Sequence, residues 1–389
     1  MDPSVSTEVA KQVLLTFGII LIAGTLSGFV AQRLKVPDVV VFLLAGTALG
    51  PAAAGLLHIR TDSGLNQLIL IFGSCYILFD GGASLRLKVL KEVWITIVLL
   101  ATAGVLITAA ITAAAAHFIL AVPAMVAVLL GTAIASTDPA TLVPIFRQVR
   151  IKDRVAQTVM SESAFNDATG AIATFAALAV ATGAGGFSLQ AALLDLLKQA
   201  GVGIVAGGLL GYAAALLIAH EKYDFLAEYA PAVTIMAVIG AYLGADGLQA
   251  SGFMAVFVFG IVLGNKESFG FRMDPGEAGK LDEYVATTAF LMRMFIFILL
   301  GSQVNFGLMS RYLAGGVAVV VVLMLVARPA AVFLCAAPDR RAKWSLNELL
   351  FMCWTRETGV IPKNSPLGNA QHRQVHAVQP DDGRHGARR

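Results

Sequence analysis

Along this chain, apolar runs of about twenty residues recur at short intervals, separated by brief stretches that carry charge, Gly and Pro. Each run is long enough to cross a hydrocarbon layer of roughly 30 Å as an α-helix. The pattern predicts spans near 11–32, 38–57, 65–84, 92–118, 122–147, 155–183, 190–219, 230–246, 250–265, 281–302 and 314–337, and a last one starting near 346. Lys and Arg sort between alternate connections. One side collects Arg33, Lys35, Arg86, Lys88, Lys91, Arg147, Arg150, Lys152, Arg154, Lys222, Lys266, Arg272, Lys280, Arg340, Arg341 and Lys343. The other collects Arg60, Lys198 and Arg311. That asymmetry puts the odd-numbered connections in the cytoplasm and the N-terminus outside a cell membrane crossed many times. Short turns join most spans, and the longest connection, GNKESFGFRMDPGEAGKLDEY, is expected as a charged surface loop.

Composition agrees. The 389 residues are 57% hydrophobic and 14% charged, where a soluble protein carries about a quarter. Mean hydropathy is +0.77. The reading is an all-α polytopic membrane protein, with the lipid bilayer as its medium and no nucleic-acid partner. The first run, about 13–30, lacks a basic leader and a small-residue cleavage site, so it is expected to stay as a span. Cys75, Cys335 and Cys353 lie apart in apolar segments and match no metal spacing.

A few polar residues interrupt the apolar runs. In SESAFNDATG (161–170), Glu162 and Asn166 lie four apart on one helical stripe, with Ser163 and Asp167 on the next. Asp167 follows Arg154 by thirteen positions, which puts it roughly 20 Å into the membrane; Asp138 and Arg293 reach roughly 15 Å. Charges at that depth need one another or a water-filled cavity. The expected arrangement pairs Glu162 with Arg293, ties that pair with the Asn166 amide, and leaves Asp167 and Asp138 to hold a hard monovalent cation or a proton.

STDPATLVP (136–144) and WTRETGVIP (354–362) both place charge and helix breakers inside a hydrophobic run. Pro139 and Pro144 remove backbone donors, so carbonyls near Ser136 and Thr137 are free to line a cavity. The half-helix ends so created are matched by Asp138 and Arg356. Asp80 is expected to be structural, Asp246 a turn residue, and Arg328, just before Pro329, a structural or interfacial side chain that snorkels. His372 and His376 sit four apart in a polar tail. An intramembrane hydrolase is set aside: no GxGD is present, and HEKYD (220–224) has Asp224 where a zinc helix needs histidine.

These residues resemble the sodium/proton antiporters of the NhaP/NHE type. The likeness rests on Thr137-Asp138-Pro139, on Glu162, Ser163, Asn166 and Asp167 as ESxxND, and on Arg293 in LMRMFIFILLG, and it extends to about Pro362. It implies an inverted-repeat fold with discontinuous crossing helices, a dimerisation domain and a moving core, and usually a homodimer. It implies cation contacts at Asp167, Asp138, Ser163 and the Thr137 backbone oxygen, with Glu162 acting through water and Asn166 and Arg293 in support. Pro139, Arg356 and Glu357 would belong to the crossing helices. Asn166, where relatives with Asp tend to be electrogenic, implies electroneutral exchange of Na⁺ or Li⁺ for H⁺ with no ATP or organic cofactor. A K⁺/H⁺ antiporter on the same scaffold is the alternative.

After Pro362 the chain reads KNSPLGNAQHRQVHAVQPDDGRHGARR, without an apolar run. The expectation is a transporter domain over 1–362, a missing last span, and a disordered tail over 363–389. An inactive truncated product is the further alternative.

Overall fold

The computed structural model describes residues 3–34, 36–59, 62–137, 151–182, 189–219 and 226–354. Among them the regular structure is helical. The helices are α1 (Pro3–Leu34), α2 (Asp38–Leu49), α3 (Gly64–Ala83), α4 (Leu87–Leu120) and α5 (Ala124–Ala133). There follow α6 (Asp153–Thr182), α7 (Leu189–Ala219), α8 (Ala230–Gly247), α9 (Gly252–Gly264) and α10 (Pro275–Ser302). The series closes with α11 (306–335) and α12 (Leu346–Trp354). Among the described residues, seven helices are long and apolar enough to cross a membrane, and α2, α5 and α9 are shorter apolar helices. The 30-residue α6 is not one of the seven; its polar residues set it apart.

The helices fall close to the predicted spans, with three corrections. The fifth, expected over 122–147, leaves the helix after Ala133, and residues 138–150 lie outside the described ones. The second span stops at Leu49 rather than 57, because Gly50 turns to extended backbone and Pro51 cannot continue the helix. The long charged connection is shorter than expected. Asp274 Oδ1 accepts the Gly276 N–H at 2.8 Å and Pro275 takes the first helical position, so α10 begins inside the polar stretch. Elsewhere the ends follow local chemistry. Ser63 and Ser251 cap α3 and α9 by accepting from Asn66 N and Met254 N, each at 3.2 Å.

Two bundles share the chain. The first holds α1, α2, α3, α7, α8, α9 and α10; the second holds α4, α5, α6, α11 and α12. Glycines let the first bundle pack backbone to backbone. A methyl group on Gly264 would run into Ala83, one on Gly82 into Phe257, and one on Gly46 into Ile298. In lipid, where apolar side chains gain little by leaving their solvent, such close approach is a main source of helix association.

The second bundle carries two π turns, at Leu100–Gly104 in α4 and Leu323–Ala327 in α11, and each lies against the other helix. Pro329 has no N–H for the carbonyl four residues back, which accounts for the irregular turn just ahead of it in α11. In each case the long helix with a π turn is followed in the chain by a further helix, α5 or α12, that precedes or reaches the polar stretch STDP or WTRE of the sequence.

Between α3 and α4 the chain passes from one bundle to the other in a few residues. Asn265, at the end of α9, accepts from Leu87 N at 3.1 Å and donates to Leu85 O at 2.7 Å. From the second bundle, Gln157 Oε1 accepts Arg86 N at 3.2 Å, and Asp153 pairs with the Arg86 guanidinium at 3.5 Å.

Gly264→Ala is expected to lower thermal stability by about 1–3 kcal/mol, since the α3 backbone must retreat. Gly240→Ala on α8, which faces open space, is the control and is expected to cause no loss. Melting of the two variants in detergent reads the difference; equal melting would reject the close-packing argument.

Candidate functional site

The polar face of α6 meets the other elements of the second bundle at two places. Glu162, Asn166 and Ser163 together cover about 100° of the helix surface, and the structure leaves each 2% exposed or less. Glu162 faces α11. There Arg328 Nη1 donates to Oε1 at 2.6 Å and Nη2 to Oε2 at 2.7 Å, a two-pronged, charge-assisted pair. Arg328 is itself 2% exposed, and its Nε donates to Met352 O on α12 at 3.2 Å. One guanidinium therefore binds three helices together.

This corrects two expectations. Glu162 pairs with Arg328 and not with Arg293; Arg293, on α10 in the first bundle, lies beside Asp38 of α2, with Nε 3.9 Å from Oδ2. Arg328 does not snorkel to an interface but is buried on its partner. The physical reason is azimuth. Counting residues gives depth along a helix, and both arginines are deep, but only packing decides which carboxylate each one faces.

The second meeting point is Thr137, where the chain has left α5. Ser163 Oγ donates to the Thr137 carbonyl at 2.7 Å and lies 2.9 Å from its hydroxyl. Asn166 Oδ1 accepts the Thr137 N–H at 3.2 Å, and its Nδ2 donates to Oγ1 at 2.7 Å. Non-helical backbone buried in a membrane must find partners for its N–H and C=O, and two side chains of α6 supply both. Gly170 permits the approach, because a methyl there would sit 2.9 Å from Ser136 Cβ. Asn166 thus serves Thr137 and does not tie an ion pair as expected.

The remaining predicted residues are placed less fully. Asp167 belongs to α6, next to Asn166, but its side chain lies outside the described residues, as do Asp138, Pro139, Arg356, Glu357, His372, His376 and the tail. Asp80 is buried on α3 in the wall of a cavity of about 450 Å³ between α3, α9 and α10, together with Lys266 and Asp282. Asp246 is exposed in the last turn of α8 and its carbonyl accepts from Gln249, as a turn residue does.

Sequence reasoning missed a further support. Ser345 and Glu348 form a capping box at the start of α12: Ser345 N donates to Glu348 Oε2 at 2.9 Å, and Glu348 N to Ser345 Oγ at 3.4 Å. Glu348, 2% exposed, also accepts from Arg154 of α6, whose Nε stands 2.8 Å from Oε1, and from Lys152 at 3.2 Å. The S-x-x-E spacing was the available signal. Arg154–Glu348 at one level and Glu162–Arg328–Met352 at another fix α12 against α6 twice. Chemically, Glu162 has both oxygens engaged by a cation, while the Ser163 and Thr137 oxygens lie together on the neighbouring stripe of α6.

Arg328→Ala leaves the Glu162 carboxylate buried without its guanidinium and is expected to cost about 3–5 kcal/mol of stability. Removing both charges in Glu162→Leu/Arg328→Met should recover much of that loss. A double-mutant cycle of melting temperatures measures it, and additive losses would mean the two side chains act independently.

Residues 17–361 match the family described as sodium/hydrogen exchanger, transmembrane. The chain is 34% identical over 355 residues to Na(+)/H(+) antiporter 1 of Methanocaldococcus jannaschii, covering 89% of this chain and 80% of that one. It is 28% identical over 366 residues to the K(+)/H(+) antiporter NhaP of Alkalimonas amylolytica, covering 91% of this chain but 60% of that one. Among solved structures, the sodium proton antiporter MjNhaP1 from M. jannaschii at pH 8 superposes with a TM-score of 0.70 at 31% identity, covering 88% of this chain and 82% of that one. Buried charge, broken backbone and sequence likeness converge: the chain belongs to the sodium/hydrogen exchanger family.

Proposed function

We propose that this protein is a secondary transporter that exchanges Na⁺ or Li⁺ for H⁺ at a site formed by Asp167 and Asp138 with oxygens of Ser163 and Thr137. One observation carries the reading: Ser163 and Asn166 hold an unwound backbone segment at Thr137, immediately before Asp138 and against the helix that bears Asp167. A segment held this way presents oxygen ligands deep in a hydrophobic helix bundle, where a hard cation needs them.

Exchange follows from competition. A carboxylate removed from water has its proton affinity raised, whereas a neighbouring cation lowers it, so Asp167 holds a proton or a metal ion in preference to both. If the site changes sides only when that charge is neutralised, each passage carries one or the other. With Asn at 166 the exchange is electroneutral. Glu162 acts in this scheme by position, because its oxygens are bonded to Arg328. Arg293, with Asp38, supports the first bundle.

The membrane domain runs over 1–362, in keeping with a family match that ends at residue 361, and 363–389 is a polar tail. The distribution of Lys and Arg supports a cell-membrane protein with its N-terminus outside. The likeness to the family supports a homodimer. K⁺/H⁺ exchange is the second reading, favoured by the likeness to the A. amylolytica K(+)/H(+) antiporter.

Everted vesicles loaded with a pH-sensitive dye test the proposal. NaCl or LiCl is expected to dequench the dye and KCl is not; the reverse outcome selects the K⁺ reading. Asp167→Asn is expected to abolish the response, by at least about tenfold, while the protein still inserts and melts as a folded species. Unaltered exchange in that variant would remove Asp167 from the site.

A further inference from the structure

The cavity of about 450 Å³ between α3, α9 and α10 lies within the first bundle and has no part in the exchange scheme. One face of α3 contributes Phe79, Asp80 and Ala83 to its wall, and one face of α10 contributes Leu281, Asp282 and Ala286. The end of α9 contributes Gly264 and Lys266. Ala83, Gly264 and Ala286 have little or no side chain with which to fill the space that the three helices enclose.

The wall is of two kinds. Phe79, Leu281 and Val285 are buried and make part of it hydrocarbon. Asp80, 4% exposed, sets a carboxylate among them, which is costly in an apolar surrounding. Asp282 is exposed and Lys266 half-buried, so these two stand at the rim. Two carboxylates therefore face one ammonium. The helix ends add to the excess: Ala83 and Gly264 are the last residues of α3 and α9, and helix C-termini carry partial negative charge.

We infer that this cavity binds a small organic cation, an amine or amidine with an apolar body. Its charge is met by Asp80 within and Asp282 at the rim, and its hydrocarbon lies on Phe79, Leu281 and Val285. The volume is that of an ordinary small-molecule site. An inorganic cation fits poorly, because it needs a cage of about six oxygens and much of this wall is carbon. An anion is disfavoured by the excess of negative charge. The lining residues named here all belong to the first bundle, and the inference is independent of ion exchange.

The test is thermal melting of the purified protein in neutral detergent at neutral pH, titrated with benzylammonium or with its uncharged counterpart, benzyl alcohol. Benzylammonium is expected to raise the melting temperature by a few degrees, as a ligand bound only by the folded state does, and benzyl alcohol is not. D80N is expected to weaken the apparent affinity at least about tenfold through loss of a charge-assisted contact. K266Q, which removes the opposing charge at the rim, is expected to strengthen it. D246N, at an exposed carboxylate of α8, and D167N are expected to keep the native response. Equal response to both compounds, none to either, an unchanged affinity in D80N, a weakened one in K266Q, or a loss in D246N would each overturn the proposal. So would a loss in D167N, which would put the cation at the exchange site. If D80N does not fold, A286F, which fills the cavity from its wall, is judged by the same criterion.

Discussion

Inside a membrane, a carboxylate and a stretch of unwound backbone present the same difficulty: neither has water to bond. The second bundle meets both needs along one face of α6. Glu162 is met by the forked guanidinium of Arg328, and Thr137 by the adjacent Ser163 and by Asn166 one turn further along. These demands fix how α11 and the unwound segment must lie against α6, and so they set the shape of the bundle more firmly than apolar contact can. Alanine-rich helices in lipid have little other preference for orientation.

The first bundle is built by the opposite means. Its helices approach through Gly46, Gly82 and Gly264, with their large side chains gathered into cores around Phe42, Tyr76 and Phe257. Its buried ionic contact is loose by comparison, with Arg293 3.9 Å from Asp38. Small residues and close backbones suit a scaffold; paired charges and broken helices suit a site. Contact between the bundles runs mainly through α6, which packs on α7, α9 and α3. The helix that bears the site is therefore also the one that slides or turns against the scaffold if the bundles move.

Much of this was legible in the sequence because two strong signals coincide. Apolar runs of membrane length gave the helices, and charge inside them marked α6, Thr137 and the breaks around it. Boundaries failed where local chemistry outweighed hydropathy, as at Pro51, which ends α2 early, and at Asp274–Pro275, which starts α10 within a polar stretch. The choice of arginine failed for a different reason. Arg293 and Arg328 each lie deep in a helix, and spacing along a chain carries no information about which face meets which neighbour. A useful hint existed: Pro329 follows Arg328 and goes with the π turn at Leu323–Ala327 just ahead of that arginine, and such a disturbance deep in a span often accompanies a buried polar contact. The capping box was readable from the Ser345–Glu348 spacing, whereas the grip of Glu348 on Arg154 required the fold.

The joint at residues 85–87 has a mechanical consequence. Asn265 holds that segment from the scaffold, and Gln157 with Asp153 holds it from α6. A displacement of one bundle against the other that preserves these bonds has a fulcrum there: travel is least at the joint and grows with distance from it, as for a door on its pin. The lever arm is then the length of α6 itself, and Thr137, gripped from that helix, is carried on the swinging part.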